Sequence, residues 1–172
     1  DFDLNKYPDE YTVKVMNPLS ADLGVMRQTM LFGGLESVSR NINHKSANLK
    51  FFEVGNTYIY NKEKWDAENP IKGYNQEGHI SLFITGKRVE GNWAHADEQS
   101  SIYELKAVVE NILRRVGMPF NNVVVKHSDN NIFSKGVQYE TRAGKVLVEL
   151  GILSHKLKKA FDIEQDVFYA DV

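Results

Sequence analysis

No cysteine occurs among the 172 residues of this chain. Disulfides and thiolate metal sites are therefore excluded, and the composition suits the cytoplasm, the expected localisation. No apolar run reaches the roughly 20 residues that a membrane helix needs, so no membrane partner is expected. No basic-then-apolar leader is read at the start. Charge of neither sign dominates: 21 Lys and Arg stand against 23 Asp and Glu, a formal net charge of -2. That balance supplies no general electrostatic drive toward nucleic acid, and DNA is not an expected partner. A glycine-rich phosphate loop, a nucleophile elbow and a catalytic triad are all missing, as are repeats and low-complexity tracts. What is there is enough to fold. Hydrophobic residues make up 42% and charged residues 26%, which excludes disorder and gives residues 1–172 one domain with its own core.

The order of elements follows from periodicity and turn chemistry. Residues 1–10 are polar and form a loose lead-in. Tyr11 to Met16 alternates with period two and predicts a strand, which Asn17-Pro18 stops because proline cannot donate to a ladder. Leu31, Leu35, Val38 and Ile42 share one helical face, with Thr29 as its N-cap. Gly33-Gly34 weakens that helix by about 1 kcal/mol per glycine, a cost that a close approach by a neighbouring element would justify. Lys50 to Val54 and Asn56 to Tyr60 predict strand, with a break or bulge at Gly55. A long polar loop spans residues 61–76. His79 to Thr85 reads as a central strand.

Ser101 and Glu104 form the sequence of a capping box. The helix it opens carries Ile102, Leu105, Val109, Ile112 and Val116 on one face and ends at Gly117 with Pro119. Val123 to Val125 is a short strand. Gly136–Thr141 and Lys145–Leu150 form a hairpin about Ala143-Gly144. Ser154 caps a short helix, and residues 167–172 form a final strand. Mostly antiparallel strands with two main helices predict an α+β fold, with the helices packed on one face of the sheet.

Single residues with reactive side chains mostly have structural explanations. Arg27 suits an anionic ligand, but also an ion pair or backbone carbonyls. Glu53 lies in an apolar strand and needs a partner there. His95-Ala96-Asp97 lacks both a three-ligand geometry and a helical His pair, so no metal site is expected. His44, His79, His127 and His155 are scattered. Lys156, Lys158 and Lys159 precede Asp162, Glu164 and Asp166, which favours a solvated helix face over a nucleic-acid patch. Tyr58 and Tyr60 alternate on a strand and fit packing better than base stacking.

Three stretches together carry a likeness. They are Asn17-Pro18-Leu19-Ser20, then Met26-Arg27-Gln28-Thr29-Met30-Leu31, then Leu49-Lys50-Phe51-Phe52-Glu53-Val54-Gly55-Asn56-Thr57-Tyr58. The chain resembles the beta subunit of bacterial phenylalanyl-tRNA synthetase, in the module shaped like a class II synthetase catalytic domain but without its catalysis. A weaker anchor is Tyr103 to Glu110, where Lys106 and Glu110 match and Ala107 replaces a glycine. Gln28, Phe32, the loop Phe133–Gly136 and Ser154-His155 depart from the family pattern.

The resemblance implies a class II-like fold, and structural or interface roles for Asn17, Pro18, Arg27, Gly33, Gly34, Glu53, Gly55, Lys106 and Glu110. In catalytic relatives the strand after the glycine reads aromatic-Arg-x-acid, the arginine clamping the ATP α-phosphate with its planar fork. That pattern falls on Tyr58-Ile59-Tyr60-Asn61, so the arginine slot is Ile59 and the acid slot is Asn61. A later Gly-rich, arginine-bearing segment has no counterpart after Gly151. No catalytic residue and no cofactor is therefore expected in this chain; ATP and Mg2+ belong to the holoenzyme.

The resemblance further implies an alpha subunit as partner, in an alpha2-beta2 heterotetramer, and tRNA(Phe) reached through the whole ligase. The chain starts at Asp1, and the family's preceding interface helix, its ferredoxin-like C-terminal tRNA-binding domain and its N-terminal editing and RNA-binding domains have no counterpart here. A fragment of a longer chain is the expectation. Rival readings are a standalone class II-like or biotin-ligase-like adenylating enzyme, a direct tRNA-binding module, and an unrelated α+β interaction domain. Pairing of Val13–Met16 with the final strand would favour the family over the last.

Overall fold

The computed structural model describes residues 7–20, 24–118 and 120–172. Residues 1–6 of the expected lead-in and Pro119 lie outside the described residues. Among the described residues the strands are β1 (Leu49–Tyr60), β2 (Tyr74–Thr85), β3 (Lys87–Val89), β4 (Glu98–Gln99), β5 (Val123–His127), β6 (Phe133–Thr141), β7 (Val146–Leu153) and β8 (Val167–Asp171). The helices are α1 (Leu31–Asn43), α2 (Ile102–Arg115) and α3 (His155–Ala160). Six strands form one antiparallel sheet in the order β1-β2-β8-β7-β6-β5, and β3 and β4 form a separate hairpin. No helix among the described residues is long and apolar enough to cross a membrane.

The α+β class and the antiparallel sheet match expectation; the placement of the helices does not. Neighbouring residues on a strand point to opposite faces, and the sheet uses both. Phe83, Val167 and Tyr169 pack with Leu31, Leu35 and Val38 of α1 and Leu157 of α3. Leu82, Ile84, Phe168 and Ala170 pack with Leu105, Val109 and Leu113 of α2. The central strands are apolar on consecutive residues because each face has a helix to cover it.

Several local expectations change for identifiable reasons. Residues 11–16 are not a strand of this sheet, and β8 pairs with β2 and β7 instead. Tyr11 closes a 3-10 turn begun at Asp9. The backbone beyond it bonds to the returning segment, Val15 N–H to Gly24 O at 2.9 Å and Met26 N–H to Val13 O at 2.8 Å. Alternation alone cannot fix a strand whose side chains meet no core; Met16 is 92% exposed. At Gly55, β1 runs straight through without break or bulge, in unbroken register with β2. Residues 61–76 contain two 3-10 turns and the start of β2 rather than a featureless loop.

The caps differ too. Met30, not Thr29, is the residue before α1, although the Thr29 hydroxyl accepts from Leu31 N–H at 3.1 Å. Ser101 precedes α2 without a side-chain cap bond, and the Glu104 carboxylate pairs with Lys50 at 2.7 Å instead of closing a capping box. Leu113 takes the buried place expected of Val116. Ser154 caps α3 as expected, its Oγ accepting from Leu157 N–H at 3.4 Å. Lys158 is buried on α3 and paired with Asp166 at 2.7 Å, so the three lysines do not form one solvated face.

Candidate functional site

Register lines up side chains across the sheet in rows. One row on the α1 face runs Phe51, Phe83, Tyr169, Gly151, Gly136. Phe83 is fully buried, its ring centroid 4.9 Å from both Phe51 and Tyr169. Gly34 of α1 rests directly on the Phe83 ring. That contact is the close approach the glycine pair called for, and Gly34 alone provides it. Gly33 faces open space.

The next row on the same face is polar: Glu53, Ser81, Asp171, Glu149. Beyond it the strands open into a cleft of about 540 Å3, lined among others by Thr57 and Ile59 of β1, Glu77 and His79 of β2, Glu149 and Asp171. His79 Nδ1 lies 3.0 Å from Asp171 Oδ1, and Glu149 accepts from Asn130 Nδ2 at 3.1 Å. Beneath, the Ser81 and Tyr169 hydroxyls are 3.2 Å apart. Both Tyr7 and Tyr169 also bond to the Thr29 side chain. Burial pushes the Tyr7 phenol up to about 12, against the opposing pull of its Thr29 bond. It pushes Tyr169 well above the usual tyrosine range, with nearby Asp171 adding to the rise. Gln28 Nε2 donates to Thr12 Oγ1 at 2.7 Å and to Pro8 O at 3.1 Å, fastening the N-terminal segment beside the cleft.

Three carboxylates, Glu77, Glu149 and Asp171, line this cleft against one lysine, Lys145. Such a charge pattern repels a triphosphate. Arg27, next in sequence to the cleft-lining Gln28, is turned to other work. Its Nη1 pairs with Glu53 Oε1, and its Nε donates to Asn56 O at 2.9 Å. Glu53 thereby has the partner its strand position demanded. Gly55 makes the arrangement fit, since a Cβ there would overlap Arg27 Nη2 and lie 3.1 Å from Met30 Sδ. The pair itself is exposed on both sides, 42% and 38%, and contributes little by charge alone. Gly55→Ala is expected to cost about 1–2 kcal/mol by displacing the guanidinium, and Glu53→Gln less than about 1 kcal/mol. Urea titrations of both variants check the order.

The other residues singled out in the sequence are dispersed. Ile59 lines the cleft. The Asn61 side chain accepts from Glu63 and Lys64 N–H at 2.9 and 3.4 Å and caps the first 3-10 turn after β1. Asn17 and Pro18 lie exposed in a bend. Lys106 and Glu110 form a 3.8 Å pair along α2. The Tyr60 ring packs 5.2 Å from Tyr74. Asp97 binds Lys87 and Gly91 N–H, while His95 meets Asn92; among the described residues no group of three or more His, Asp or Glu is placed to hold a metal. The residues that sequence reasoning missed are His79, Ser81, Glu149, Asp171, Tyr7 and Tyr169. Their signal was present as odd-numbered polar positions on β2, but only register brings the strands' contributions into one row.

A family model described as the phenylalanyl tRNA synthetase beta chain CLM domain matches residues 1–172, the whole chain. The chain belongs to this family. It is 48% identical over 169 residues to the phenylalanine–tRNA ligase beta subunit of Bacteroides thetaiotaomicron, covering 98% of this chain and 21% of that protein. With the corresponding subunit of Porphyromonas gingivalis the identity is 41% over 169 residues, at the same coverage. The chain thus spans about a fifth of the length of these relatives. Among solved structures it is similar to pyrrolysyl tRNA synthetase from Desulfitobacterium hafniense, with TM-scores of 0.63 and 0.64 at 14% and 10% identity. These cover 94% of this chain and 50% of the other. That likeness establishes the class II synthetase fold in this CLM domain.

Proposed function

We propose that this beta-chain module is a non-catalytic scaffold in a phenylalanine–tRNA ligase. It braces an alpha subunit that activates phenylalanine with ATP and Mg2+, in a cytoplasmic alpha2-beta2 assembly that charges tRNA(Phe). The observation that carries this reading is the pairing of Ile59 and Asn61 with the surrounding charge. Ile59 lines the cleft where a working relative would place a phosphate-gripping arginine. Asn61, in the acid's slot, spends its amide oxygen on capping a turn. The carboxylate-rich floor adds to the mismatch. Fold alone does not carry activity; the groups in the site do.

A pull-down with the matched alpha subunit, set beside an ATP titration of Trp65 and Trp93 fluorescence, tests the proposal. The expected result is alpha association, no saturable nucleotide binding, and pyrophosphate exchange at background. Saturable ATP binding without alpha association would reverse it in favour of an adenylating enzyme. Micromolar tRNA binding that falls steeply with salt would favour a direct tRNA-binding module.

A further inference from the structure

The hairpin of β3 and β4 presents Trp93, a residue 99% exposed, at its tip. The tip that carries it is stiffly built. Asn92 N–H donates to His95 O at 2.9 Å, and Ala94 N–H to Asn92 Oδ1 at 2.8 Å. Asn92 Nδ2 lies 2.9 Å from His95 Nε2. Asp97 accepts from Gly91 N–H at 2.6 Å while holding Lys87 at 2.7 Å. The Lys87 bond is the first cause holding the Asp97 carboxyl below its usual range. The base is anchored to the sheet through Asn48, which accepts from Lys87 N–H at 2.8 Å and donates to Glu90 at 2.6 Å. Ser100 N–H to Gly86 O, 3.0 Å, closes the hairpin below.

From this arrangement we propose that Trp93 is a docking anchor for an apolar pocket, rimmed by basic side chains, on a neighbouring protein surface. The proposal rests on the reading of this chain as one module of a larger ligase. A large aromatic on a preorganised support loses little conformational entropy when it is buried, which is what a binding hot spot requires. Charge decides the kind of partner. Lys87 and Arg88 are each taken up by a carboxylate, Asp97 and Glu98. Glu90 remains, leaving the hairpin one negative charge in excess. A phosphate backbone finds no cation to neutralise it. A lipid surface would call for basic residues and several apolar anchors on one face, and this tip carries a single indole. A protein pocket with a cationic rim fits both the ring and the charge.

The test uses the complete beta subunit assembled with its alpha subunit. A photoreactive benzoyl-phenylalanine replaces Trp93, and a control places it at Trp65. Irradiation is expected to give one dominant protein adduct from position 93, mapping to a pocket with Lys or Arg at its edge. Trp93→Ala should weaken that contact about 30-fold or more, with Trp93→Tyr in between. The substitution is at a solvent-exposed side chain, so unfolding would not confound it. A fully assembled complex in which position 93 gives no specific adduct overturns the anchor while sparing the scaffold reading. An adduct on added tRNA overturns the protein-pocket assignment. If alpha does not associate with the unsubstituted chain, the scaffold reading fails, and cross-linking within the complete beta subunit still decides the anchor.

Discussion

Gly34→Ala is expected to destabilise this domain by about 3 kcal/mol, whereas Gly33→Ala, one residue earlier, is expected to stabilise it by about 0.5–1 kcal/mol. Both glycines sit in the first turn of α1, so helix propensity favours alanine equally at each. Their surroundings differ. A Cβ on Gly33 meets nothing within 4 Å. A Cβ on Gly34 would stand 2.6 Å from Phe83 Cε1 and closer still to Cζ. The Phe83 ring cannot retreat, because Phe51 stacks on it with an interplanar angle of 19° and Tyr169 leans against it at 47°. The extra methyl must therefore lift α1 from the sheet or force rings off their rotamers. Urea unfolding of the two variants gives the comparison directly. Equal effects of the same sign would mean that α1 does not rest on Phe83, and the packing of this whole face would need revision.

The second large effect is alkaline. Above pH 10 the domain should lose stability steeply, because the unfolded chain's tyrosines ionise there while the buried ones stay neutral. The cause is a set of tyrosines held neutral by burial. Tyr7 is pushed up to about 12 from the ordinary 10.0, burial being the largest cause. Tyr139, fully buried, is likewise pushed up to about 12. Tyr169 is driven well above the ordinary range. For each, the folded-state value lies above the unfolded one. Their contribution is thus fully present below pH 10 and is lost as pH climbs toward 12 and beyond. Two pH units correspond to about 3 kcal/mol for Tyr7 alone.

Tyr7→Phe should flatten the fall between pH 10 and 12, at a neutral-pH cost of about 1 kcal/mol for the lost Thr29 hydrogen bond. Urea midpoints across that range, with tyrosinate absorbance followed in parallel, check the claim. Phenol ionisation at the ordinary pH, without loss of structure, would show that these rings are accessible to solvent.

Much of the chemistry turns on where polar residues fall relative to α1. On one row of the sheet, aromatic rings and glycines fill the space under the helix. On the next row, past its N-terminal end, hydroxyls and carboxylates face a cleft. The same strands supply both rows, so a shift of two residues separates packing from polarity. A scaffold can keep the first row for stability and let the second drift away from phosphate chemistry. The Arg27–Glu53–Gly55 cluster fits that division, since its arginine is bound to the protein's own groups.

The sequence alone determined the helices α1 and α2, the β6–β7 hairpin and the family, because these depend on local periodicity, turn residues such as Gly144 at φ +83°, and short runs of residues. It also marked Ile59 and Asn61, whose positions count from a glycine in the same strand. Tertiary structure decided what depends on partners distant in the chain. Residues 11–16 alternate as a strand should, yet their hydrogen bonds go to the returning segment at 24–26 because the neighbouring place in the sheet is not theirs. Gly55 looks like a strand breaker until Arg27, 28 residues earlier, is seen filling the space its missing side chain leaves. The two helices lie on opposite faces because the central strands are apolar on both, and the cleft exists only because register brings Asp171 beside Ser81 and Glu149. Side-chain pattern is a local property, whereas register and packing are set by the lowest free energy of the whole sheet.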